Sequence, residues 1–513
     1  MHRWLVVAMA LMLASWLGPV SPANAFKGTV TIGYATDPPT MDPNITSDAL
    51  GFIVWGWAYD TLMKYDLHKK EPTPWLAEKW EKLSPTSIKF WLRKDAKFSD
   101  GSPVTSRAVQ YTMERIFDPE IKSRQLDYFQ TFKSFEIIDD HTFIWHQKTP
   151  DNGLFGRLHN WFLIINPKTK GADKADVSRN TYGGGPYILK SWTKGSKMVF
   201  EANPTWWGNS RYPNRPQTIV LRPIRESTTR VKALIAGEVD FIQDVEPQFI
   251  PEVEKDPDTR IVTVPGMRIF YLAFATRHGG PFADPKVRQA VNYVIDADLM
   301  GKTIMGGLTD PFHMLYHPWS FSGYNPDLRW HGYDLEKAKA LMKEAGYPNG
   351  FKAVWIGPSG RFAGDRQTGE AVSAMLKKIG IDMKVEAYTW PLYRRAVNNA
   401  QEGKITEPAL VWRSWGNSVG DTTGVWRGTS SCAGVWSVAC FPELDKFNEE
   451  AGALADPVEQ QAAFEKLWGK MKEQAMHKIL YKFRETFGLR KTLKFEPRGD
   501  ETIAVWEMIQ MKK

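Results

Sequence analysis

The residue patterns that most often carry metal, phosphate or hydrolytic chemistry are incomplete in this chain. His313 and His317 have the spacing of two metal ligands on one helix face, but prolines on both sides of the pair favour a loop. Gly301-Lys302-Thr303 resembles the end of a phosphate-binding loop, yet Asp296 stands where that loop requires its first glycine. Neither Gly-x-Ser-x-Gly nor His-Glu-x-x-His is present. We therefore predict no catalytic residue, no metal site and no cofactor.

Cys432 and Cys440 are the two cysteines of the chain, in a segment rich in glycine and serine. In an oxidising compartment, such a pair most simply forms one local disulfide that closes a loop. A metal site would need further ligands, and no other cysteine or histidine stands nearby in the sequence. We therefore predict a structural bridge.

Aromatic residues make up 13% of the chain, and 22 of them are tryptophans. Aromatic rings bind sugars and apolar side chains with little loss of conformational entropy. Trp55, Tyr59, Tyr128 and Trp390 are candidate walls of a ligand pocket. Burial in a hydrophobic core remains the alternative for each of them, because most of the tryptophans must serve there.

The charge distribution and the length of the chain bear on its partners and on its number of domains. The net charge is +8 and the sequence pI is about 9.1, but lysines and arginines are spread among 58 acidic residues rather than gathered in a run. This pattern indicates a solvated surface and argues against nucleic acid as a partner. A chain of 513 residues also exceeds what one hydrophobic core usually serves, so we expect two or three domains.

The first 25 residues have the pattern of a secretory signal peptide. Arg3 provides the positive start, residues 4–17 form a short apolar run, and Ala23-Asn24-Ala25 is a small-x-small cleavage site. An anchoring helix is the alternative, but Gly18-Pro19 interrupts the run. No cysteine follows it as a lipid attachment site, so we predict a soluble periplasmic protein with no lipid anchor.

Helical and strand patterns alternate along the chain and predict an α/β fold. Several apolar stretches with a 3.6-residue period end at glycine and lead directly into alternating strand patterns. Asp-Pro pairs mark three further helix starts or ends. The predicted elements include helices at 225–237, 284–295, 334–346, 371–380 and from 456, and strands at 29–32, 87–93, 187–189, 239–242, 381–385, 479–483 and 502–506.

Residues 180–208 contain three consecutive glycines followed by Pro186 and two strand-like runs. Glycines at 183–185 give access to positive φ, so the stretch is a candidate hinge where the chain crosses between two bodies. An ordinary surface hairpin is the alternative.

Nine segments make the chain resemble the extracellular solute-binding proteins of peptide-type ABC transporters, family 5. They occur in the family's order and span nearly the whole chain after the signal peptide. The segments are PPTMDPNITSDA (38–49), PWLAEKWE (74–81), FWLRKDAKFSDGSPVTSRAVQYTMER (90–115), GGPYILKSW (184–192), EANPTWWG (201–208), RVKALIAGEVDF (230–241), DPKVRQAVNYVID (284–296), YDLEKAKALMKEAGYPNGF (333–351) and LKKIGI (376–381).

The resemblance implies a two-lobed periplasmic binding protein of type II, in the three-domain peptide-binding subclass, with mixed sheets and a ligand cleft between the lobes. Such a protein closes over a small ligand and delivers it to an inner-membrane permease. A monomer is expected. The implied division is a discontinuous first domain at 26–70, 186–268 and 486–513, a smaller domain at 71–185, and a second lobe at 269–485.

The resemblance also points to ligand-binding residues in the segment that follows Arg413. The family has a tryptophan and, three residues later, an aspartate that holds the ligand's α-ammonium group. Trp415 matches the tryptophan, but Ser418 occupies the aspartate position, with Asn417 beside it and Asp421 as a neighbouring carboxylate. Because a hydroxyl cannot balance a buried ammonium group, we expect weak binding of unmodified dipeptides. An ordinary core tryptophan is the alternative for Trp415.

Arg361 lies in a loop where the family's binders of shorter ligands place an arginine for a carboxylate. A guanidinium group presents two parallel donors to such an anion. An exposed loop arginine is equally compatible with the sequence. We thus predict a binding component of an ABC importer for a short peptide or related small solute; the alternative is a secreted hydrolase acting on peptides or glycosides.

Overall fold

The computed structural model describes residues 28–46, 49–66, 69, 71–315, 323–416 and 422–511. The predicted signal peptide therefore lies outside the described residues. The strands are β1 Thr29–Tyr34, β2 Met63–Asp66, β3 Glu71–Pro74, β4 Ala77–Ser84, β5 Ser87–Leu92, β6 Phe132–Asp139, β7 Thr142–Gln147, β8 Tyr187–Thr193, β9 Lys197–Ala202, β10 Thr218–Pro223, β11 Phe241–Gln243, β12 Thr259–Phe274, β13 Thr309–Asp310, β14 Lys352–Pro358, β15 Asp382–Tyr388, β16 Ala409–Gly416, β17 His477–Arg490, β18 Leu493–Lys494 and β19 Ile509–Gln510.

The helices alternate with these strands, as the sequence predicts for an α/β protein. They are α1 Ala49–Ala58, α2 Ser106–Phe117, α3 Leu154–Asn160, α4 Lys174–Val177, α5 Ser227–Ile235, α6 Ile250–Lys255, α7 Pro285–Val294, α8 Ala297–Thr303, α9 Leu335–Glu344, α10 Asp365–Leu376, α11 Trp390–Gln401, α12 Thr422–Thr429, α13 Pro442–Gly452 and α14 Pro457–Glu473. Within the described ranges, no helix combines the length and the apolar character needed to cross a membrane.

A large mixed sheet organises the molecule. Its strand order is β15-β14-β16-β12-β17-β11-β1-β10-β9-β8, with β13 paired to β17 off this path. β14 pairs in parallel with β15 and β16, and β1 pairs in parallel with β10 and β11, whereas β12 and β17 are antiparallel to their neighbours. A separate antiparallel sheet, β4-β5-β7-β6, forms the smaller body. The predicted α/β class with mixed sheets is confirmed.

Strands β12 and β17 connect the two halves of the large sheet. At one end, residues 259–265 of β12 pair with residues 484–490 of β17, and this end of β17 also pairs with β11. At the other end, residues 268–274 of β12 pair with β16. The ladder between β12 and β17 shifts register between Pro265 and Ile269. A β-bulge of this kind bends a strand, so the chain passes from one half to the other at this point.

The hinge predicted at residues 180–208 is wrong in its mechanism. None of Gly183, Gly184 and Gly185 has positive φ, and the stretch forms the β8–β9 hairpin at the edge of the large sheet. These glycines are needed for close packing: a Cβ at Gly184 would lie 2.6 Å from the Lys97 carbonyl oxygen, and one at Gly185 would lie 2.6 Å from the Ala58 carbonyl carbon. Residues 187–202 form the hairpin of the alternative, and a crossing between two bodies at the glycines stays a prediction.

Local signals explain three of the predicted helix starts. The Asp284 carboxylate accepts a hydrogen bond from the Lys286 backbone N–H (2.7 Å) with Pro285 in the first turn, and Asp334 and Asp456 cap their helices in the same way. Thr105 precedes α2 but makes no side-chain capping bond.

The strand predicted at 502–506 is wrong, because Val505–Glu507 forms a 3-10 turn. The domain boundaries stay a prediction.

Candidate functional site

A cavity lies between the two halves of the molecule, at the ends of β12 and β16. Phe52 of α1 and Glu501 of the C-terminal segment face it from one half, and the loop after β14 faces it from the other. Its empty space, including the part open to solvent, is about 700 Å³. The lining residues are Phe52, Tyr128, Trp161, Arg268, Arg361, Phe362, Trp390, Tyr393, Trp412, Arg413, Ser414, Trp415, Gly416, Trp436 and Glu501.

Aromatic rings form two walls of the cavity. On the first wall, Tyr128 stacks on Trp161 with ring centroids 5.2 Å apart. On the second wall, Trp390 lies 6.3 Å from Trp436 and stacks on Tyr393 at 5.3 Å. Flat rings at these separations support one another, so the walls are rigid surfaces for the apolar part of a ligand.

The Arg361 side chain is held at the cavity by an ordered loop. The Asp365 carboxylate accepts hydrogen bonds from the backbone N–H groups of Gly360, Arg361 and Phe362, at 3.0 to 3.3 Å. Burial raises the pKa of Asp365 to about 6, although these N–H groups oppose the rise. The Arg361 guanidinium donates to the Tyr34 hydroxyl (3.3 Å) and lies 4.7 Å from the Phe362 ring centroid. Arg361 is 6% exposed, so it is not an exposed loop arginine.

Arg413 places a second guanidinium group in the same cavity. It is 3% exposed, its guanidinium lies 4.6 Å from the Trp436 ring centroid, and it donates to the Tyr393 hydroxyl (3.2 Å). Burial lowers the pKa of Arg413, but the nearby Tyr393 and Tyr271 more than offset this, so the group remains charged. Its Nε has no hydrogen-bond partner, and it forms no ion pair, within the described part of the chain.

Arg268 forms an ion pair across the site with Glu501. Their nitrogen and oxygen lie 2.7 Å apart, and Arg268 also donates to the Ser414 hydroxyl (2.9 Å). Glu501 has a φ of 63°, which side-chain-bearing residues rarely adopt. A Cβ at Gly416 would collide with the Glu501 carboxylate. The C-terminal segment is therefore fitted tightly to the ends of β12 and β16.

The structure brings four of the candidate residues together. Trp415, Arg361, Tyr128 and Trp390 all line the cavity. Their role in binding stays a prediction, since position alone does not demonstrate it.

Trp55 and Tyr59 lie elsewhere, which corrects their assignment as pocket walls. The Trp55 indole is fully buried and donates to the Thr40 carbonyl (2.9 Å), and the Tyr59 hydroxyl accepts from the Tyr182 backbone N–H (3.2 Å). Both are core residues.

Asn417, Ser418 and Asp421 lie outside the described residues, as does His317. The expectation that Ser418 disfavours the ammonium group of an unmodified dipeptide therefore stays a prediction. Within the described ranges, no group of three or more histidine, cysteine, aspartate or glutamate residues could hold a metal ion.

Sequence reasoning missed Arg268, Arg413 and Glu501. Arg413 had an available signal: it stands two residues before Trp415, so both side chains lie on one face of β16. Arg268 and Glu501 had no local signal. They meet only because the bulge of β12 and the C-terminal segment come together in the fold.

A disulfide between Cys432 and Cys440 closes the loop that carries Trp436, as the sequence predicts. The backbone N–H of Cys432 donates to Asp445 (2.8 Å), and the Gln401 amide donates to the Ser437 carbonyl (2.9 Å). The loop is thus tied to α11 and α13, and one aromatic wall depends on it.

Comparisons with known proteins agree with this architecture. The chain is 26% identical over 494 residues to the glutathione-binding protein GsiB of Pectobacterium atrosepticum, covering 91% of each, and 26% identical over 451 residues to the dipeptide-binding protein of Escherichia coli, covering 81% of this chain and 82% of that one. The structure matches the periplasmic binding protein DppA of Helicobacter pylori in complex with peptide STSA, with a TM-score of 0.83 and 23% identity, covering 95% and 99% of the two chains.

Residues 71–437, well over half of the chain, match the family described as "bacterial extracellular solute-binding proteins, family 5, middle". Two of the similar proteins, one curated relative and one solved structure, are named as periplasmic. Family membership sets aside the alternative of a secreted hydrolase. The chain belongs to the bacterial extracellular solute-binding proteins of family 5, the substrate-binding components of ABC importers for peptides and related small solutes.

Proposed function

We propose that this protein captures a short peptide or related small solute with an anionic end, which Arg413 and Arg361 bind in the cavity between the lobes. The observation that carries the proposal is the buried, charged Arg413 guanidinium, which has no carboxylate partner within the described residues. A buried charge without a counter-ion is costly, and an anionic ligand would remove that cost.

The ligand's anionic end has suitable surroundings. Arg361 and Arg413 can each give parallel N–H donors to a carboxylate, and aromatic rings flank both guanidinium groups. The relatives are named for glutathione and for dipeptides, which both carry carboxylates. The aromatic walls would hold the uncharged part of the ligand.

The other end of the ligand would not be an ordinary dipeptide ammonium group at Ser418. Burying an ammonium without a carboxylate partner costs several kcal/mol, or on the order of a thousandfold in affinity. We therefore retain Ser418, with Asn417 and Asp421 beside it, as the position that disfavours unmodified dipeptides. Ser418→Asp should raise dipeptide affinity, and calorimetry would measure it.

Ligand capture would involve closure of two lobes about β12 and β17. The proposed units are 26–70 with 186–268 and 486–513, the smaller 71–185, and the second lobe 269–485. Small-angle scattering should show a more compact particle with bound ligand; an unchanged particle across peptide, opine, sugar and metal-chelate libraries would contradict closure.

The cellular setting completes the proposal. We infer export by the signal peptide at 1–25, a periplasmic location without a lipid anchor, a monomeric state, and transfer of the ligand to an inner-membrane ABC permease. The relatives named as periplasmic proteins support the location.

The deciding experiment identifies the ligand and then removes its contacts. Denaturing extraction of the purified protein and mass spectrometry would name what it carries, and calorimetry would give its affinity. Arg413→Gln and Arg361→Ala should each weaken binding by about a hundredfold, because each removes a charged hydrogen-bond donor.

Arg366→Ala is the matched control, since Arg366 lies in the first turn of α10, shortly after Arg361, but pairs with Glu370 on the surface. It should leave affinity unchanged within about twofold. Tight binding of a neutral solute, with no dependence on Arg413 or Arg361, would overturn the proposal.

A further inference from the structure

The ligand cavity contains a carboxylate as well as guanidinium groups. Arg268, Arg361 and Arg413 line it, and Glu501 is the one carboxylate among the described residues of its wall. Glu501 belongs to the C-terminal segment, whereas Arg268 and Arg413 lie on β12 and β16. An anionic ligand therefore meets one negative group in a cavity that is otherwise positively charged.

Arg268 is engaged by this carboxylate. Its Nη2 donates to Glu501 Oε2 (2.7 Å), and its Nη1 donates to the Ser414 hydroxyl (2.9 Å). The side chains of Arg268 and Glu501 are only 13% and 9% exposed. A largely buried ion pair is costly to break, because the group left behind keeps its charge without a partner. Arg268 is therefore occupied by an anion of the protein itself.

The surrounding backbone fixes the position of the Glu501 carboxylate. The Met267 backbone N–H donates to the Gly499 carbonyl (3.0 Å), which fastens the C-terminal segment to β12. Glu501 has a φ of 63°, a conformation that a residue with a side chain adopts only at a cost. A Cβ at Gly416 would lie 2.5 Å from the carboxylate carbon of Glu501, so glycine leaves room for this group. Backbone strain of this kind often occurs where a side chain has a functional role.

Glu485 lies near Glu501 but does not add a second negative charge. Both residues line a smaller chamber that adjoins the cavity. Burial raises the pKa of Glu485 well above its usual range, and the Glu501 carboxylate raises it further. Glu485 is therefore a neutral acid at neutral pH and can donate a hydrogen bond. The negative charge that faces the ligand thus belongs to Glu501.

A short peptide is long enough to reach from Arg413 to the Arg268–Glu501 pair. Arg268 lies opposite Gly416 in the β12–β16 ladder, and Arg413 precedes Gly416 by three positions on β16. This spacing corresponds to about 10 Å along the strand. A ligand of two or three residues with its terminal carboxylate at Arg413 would therefore place another side chain near Glu501.

We propose that Glu501 is a specificity-determining residue that restricts the ligand to one anionic group, so that the protein selects peptides with uncharged side chains. This rests on the proposed function, in which Arg413 and Arg361 bind the single carboxylate. A second carboxylate on the ligand would have to lie beside Glu501 or displace it from Arg268. The first arrangement brings two negative charges together, and the second leaves Glu501 buried without a partner. Glu501 thus acts by repulsion as well as by occupying Arg268.

The test uses N-acetylated peptides, which have one neutral end, in pairs that differ only in a glutamate or a glutamine. The pairs are N-acetyl-leucylglutamate with N-acetyl-leucylglutamine, N-acetyl-glutamylleucine with N-acetyl-glutaminylleucine, and N-acetyl-glutamylglycylleucine with N-acetyl-glutaminylglycylleucine. Calorimetry on the whole mature protein should show that the glutamine member of at least one pair binds at least about tenfold more tightly, because it avoids the repulsion.

Two variants remove the carboxylate in different ways. Glu501→Gln keeps the size of the side chain and should reduce the preference to less than about twofold, while the glutamine member keeps its affinity within about threefold. Glu501→Gly suits the positive φ, so it should fold even if Glu501→Gln does not. It also leaves Arg268 open to the ligand, so the glutamate member should become the tighter binder.

Glu507→Gln is the matched control. Glu507 lies in the same C-terminal segment but pairs with Arg498 and does not line the cavity. This variant should keep the wild-type preference within about twofold.

The outcomes separate the two proposals. Equal affinity within every pair on the wild-type protein, tighter binding of the glutamate members, or a preference that survives in the Glu501 variants overturns the role of Glu501 and leaves the anionic site standing. Failure of every peptide to bind overturns both, since each proposal requires that a peptide with one carboxylate is bound.

Discussion

Two junctions of the molecule rely on glycine, and they differ in what the glycine does. At the first, Gly183–Gly185 passes against the backbone of Ala58 and Lys97, and hydrogen bonds such as Gly185 N–H to the Ala58 carbonyl (3.1 Å) fasten it. At the second, Gly266 lies where the β12–β17 ladder changes register, with the Phe483 carbonyl beside it. Glycine marks close backbone approach at both, but only the second lies at a break in the β12–β17 pairing, so we place the proposed motion between the lobes there.

The largest expected effect is at the first junction. Gly185→Ala would put a Cβ 2.6 Å from backbone atoms of Ala58 and Tyr59, which cannot move as a side chain can. We expect a loss on the order of 4 kcal/mol in the free energy of unfolding, measured by denaturant titration. Gly56→Ala is the control, because its Cβ would meet nothing within 4 Å, and it should be neutral or slightly stabilising. Equal effects of the two would show that the first junction is loosely packed.

The first junction should also respond to pH. The buried Asp60 carboxylate accepts hydrogen bonds from the indoles of Trp75 (2.7 Å), Trp207 (3.0 Å) and Trp206 (3.3 Å). Burial raises the pKa of Asp60 to about 6, so the native state binds this proton more tightly than the unfolded chain does. The stabilisation is full below about pH 4 and is lost as the pH rises through 6.

The measurement compares wild type with Asp60→Asn, which does not titrate. Relative to this variant, wild type should lose about 3 kcal/mol of unfolding free energy between pH 4 and pH 7. A difference that is constant over this range would contradict the shifted pKa.

The second junction should couple stability to binding. Gly266→Ala would place a Cβ 2.5 Å from the Phe483 carbonyl oxygen, and we expect a loss of about 2 kcal/mol in unfolding free energy. Because the strain falls where β12 and β17 bend, ligand affinity per folded molecule should fall as well. Calorimetry on folded Gly185→Ala protein should show unchanged affinity. If Gly266→Ala binds like wild type, the crossing is not the hinge.

The smallest effect isolates backbone conformation from packing. Gly195, in the β8–β9 turn, has a φ of 74° and open space around its Cβ position. Gly195→Ala should cost about 1 kcal/mol in unfolding free energy, since only the left-handed backbone opposes it. A cost as large as that of Gly185→Ala would mean that conformation, rather than close approach, governs the first junction.

Local sequence signals predicted several helix starts because their causes are local. Asp284, Asp334 and Asp456 cap helices through bonds two or three residues away, and such bonds can be read from the chain. The strand predicted at 502–506 was wrong because another local contact prevents it. The Asp500 carboxylate accepts a hydrogen bond from the Thr502 backbone N–H (3.0 Å) and turns the chain before Trp506.

The site was only partly predictable because its residues meet through tertiary structure. Composition indicated many aromatic rings but not their places, so Trp390 lines the cavity while Trp55 is core. Arg268 and Glu501 are 233 residues apart and pair at the bulge of β12. Arg361 was found through a family resemblance, and Arg413 needed the strand periodicity of β16 to be followed past Trp415.

The disulfide between Cys432 and Cys440 makes the ligand cavity sensitive to the redox state of its surroundings. Trp436, one of the rings that face the ligand, sits within the eight-residue span that this bond closes. In the reducing cytoplasm a newly made chain would lack that covalent closure, and its ring would be held by hydrogen bonds alone. If the chain is exported as we propose, oxidation would then complete the aromatic wall, and the oxidised form would bind its ligand more tightly than the reduced form.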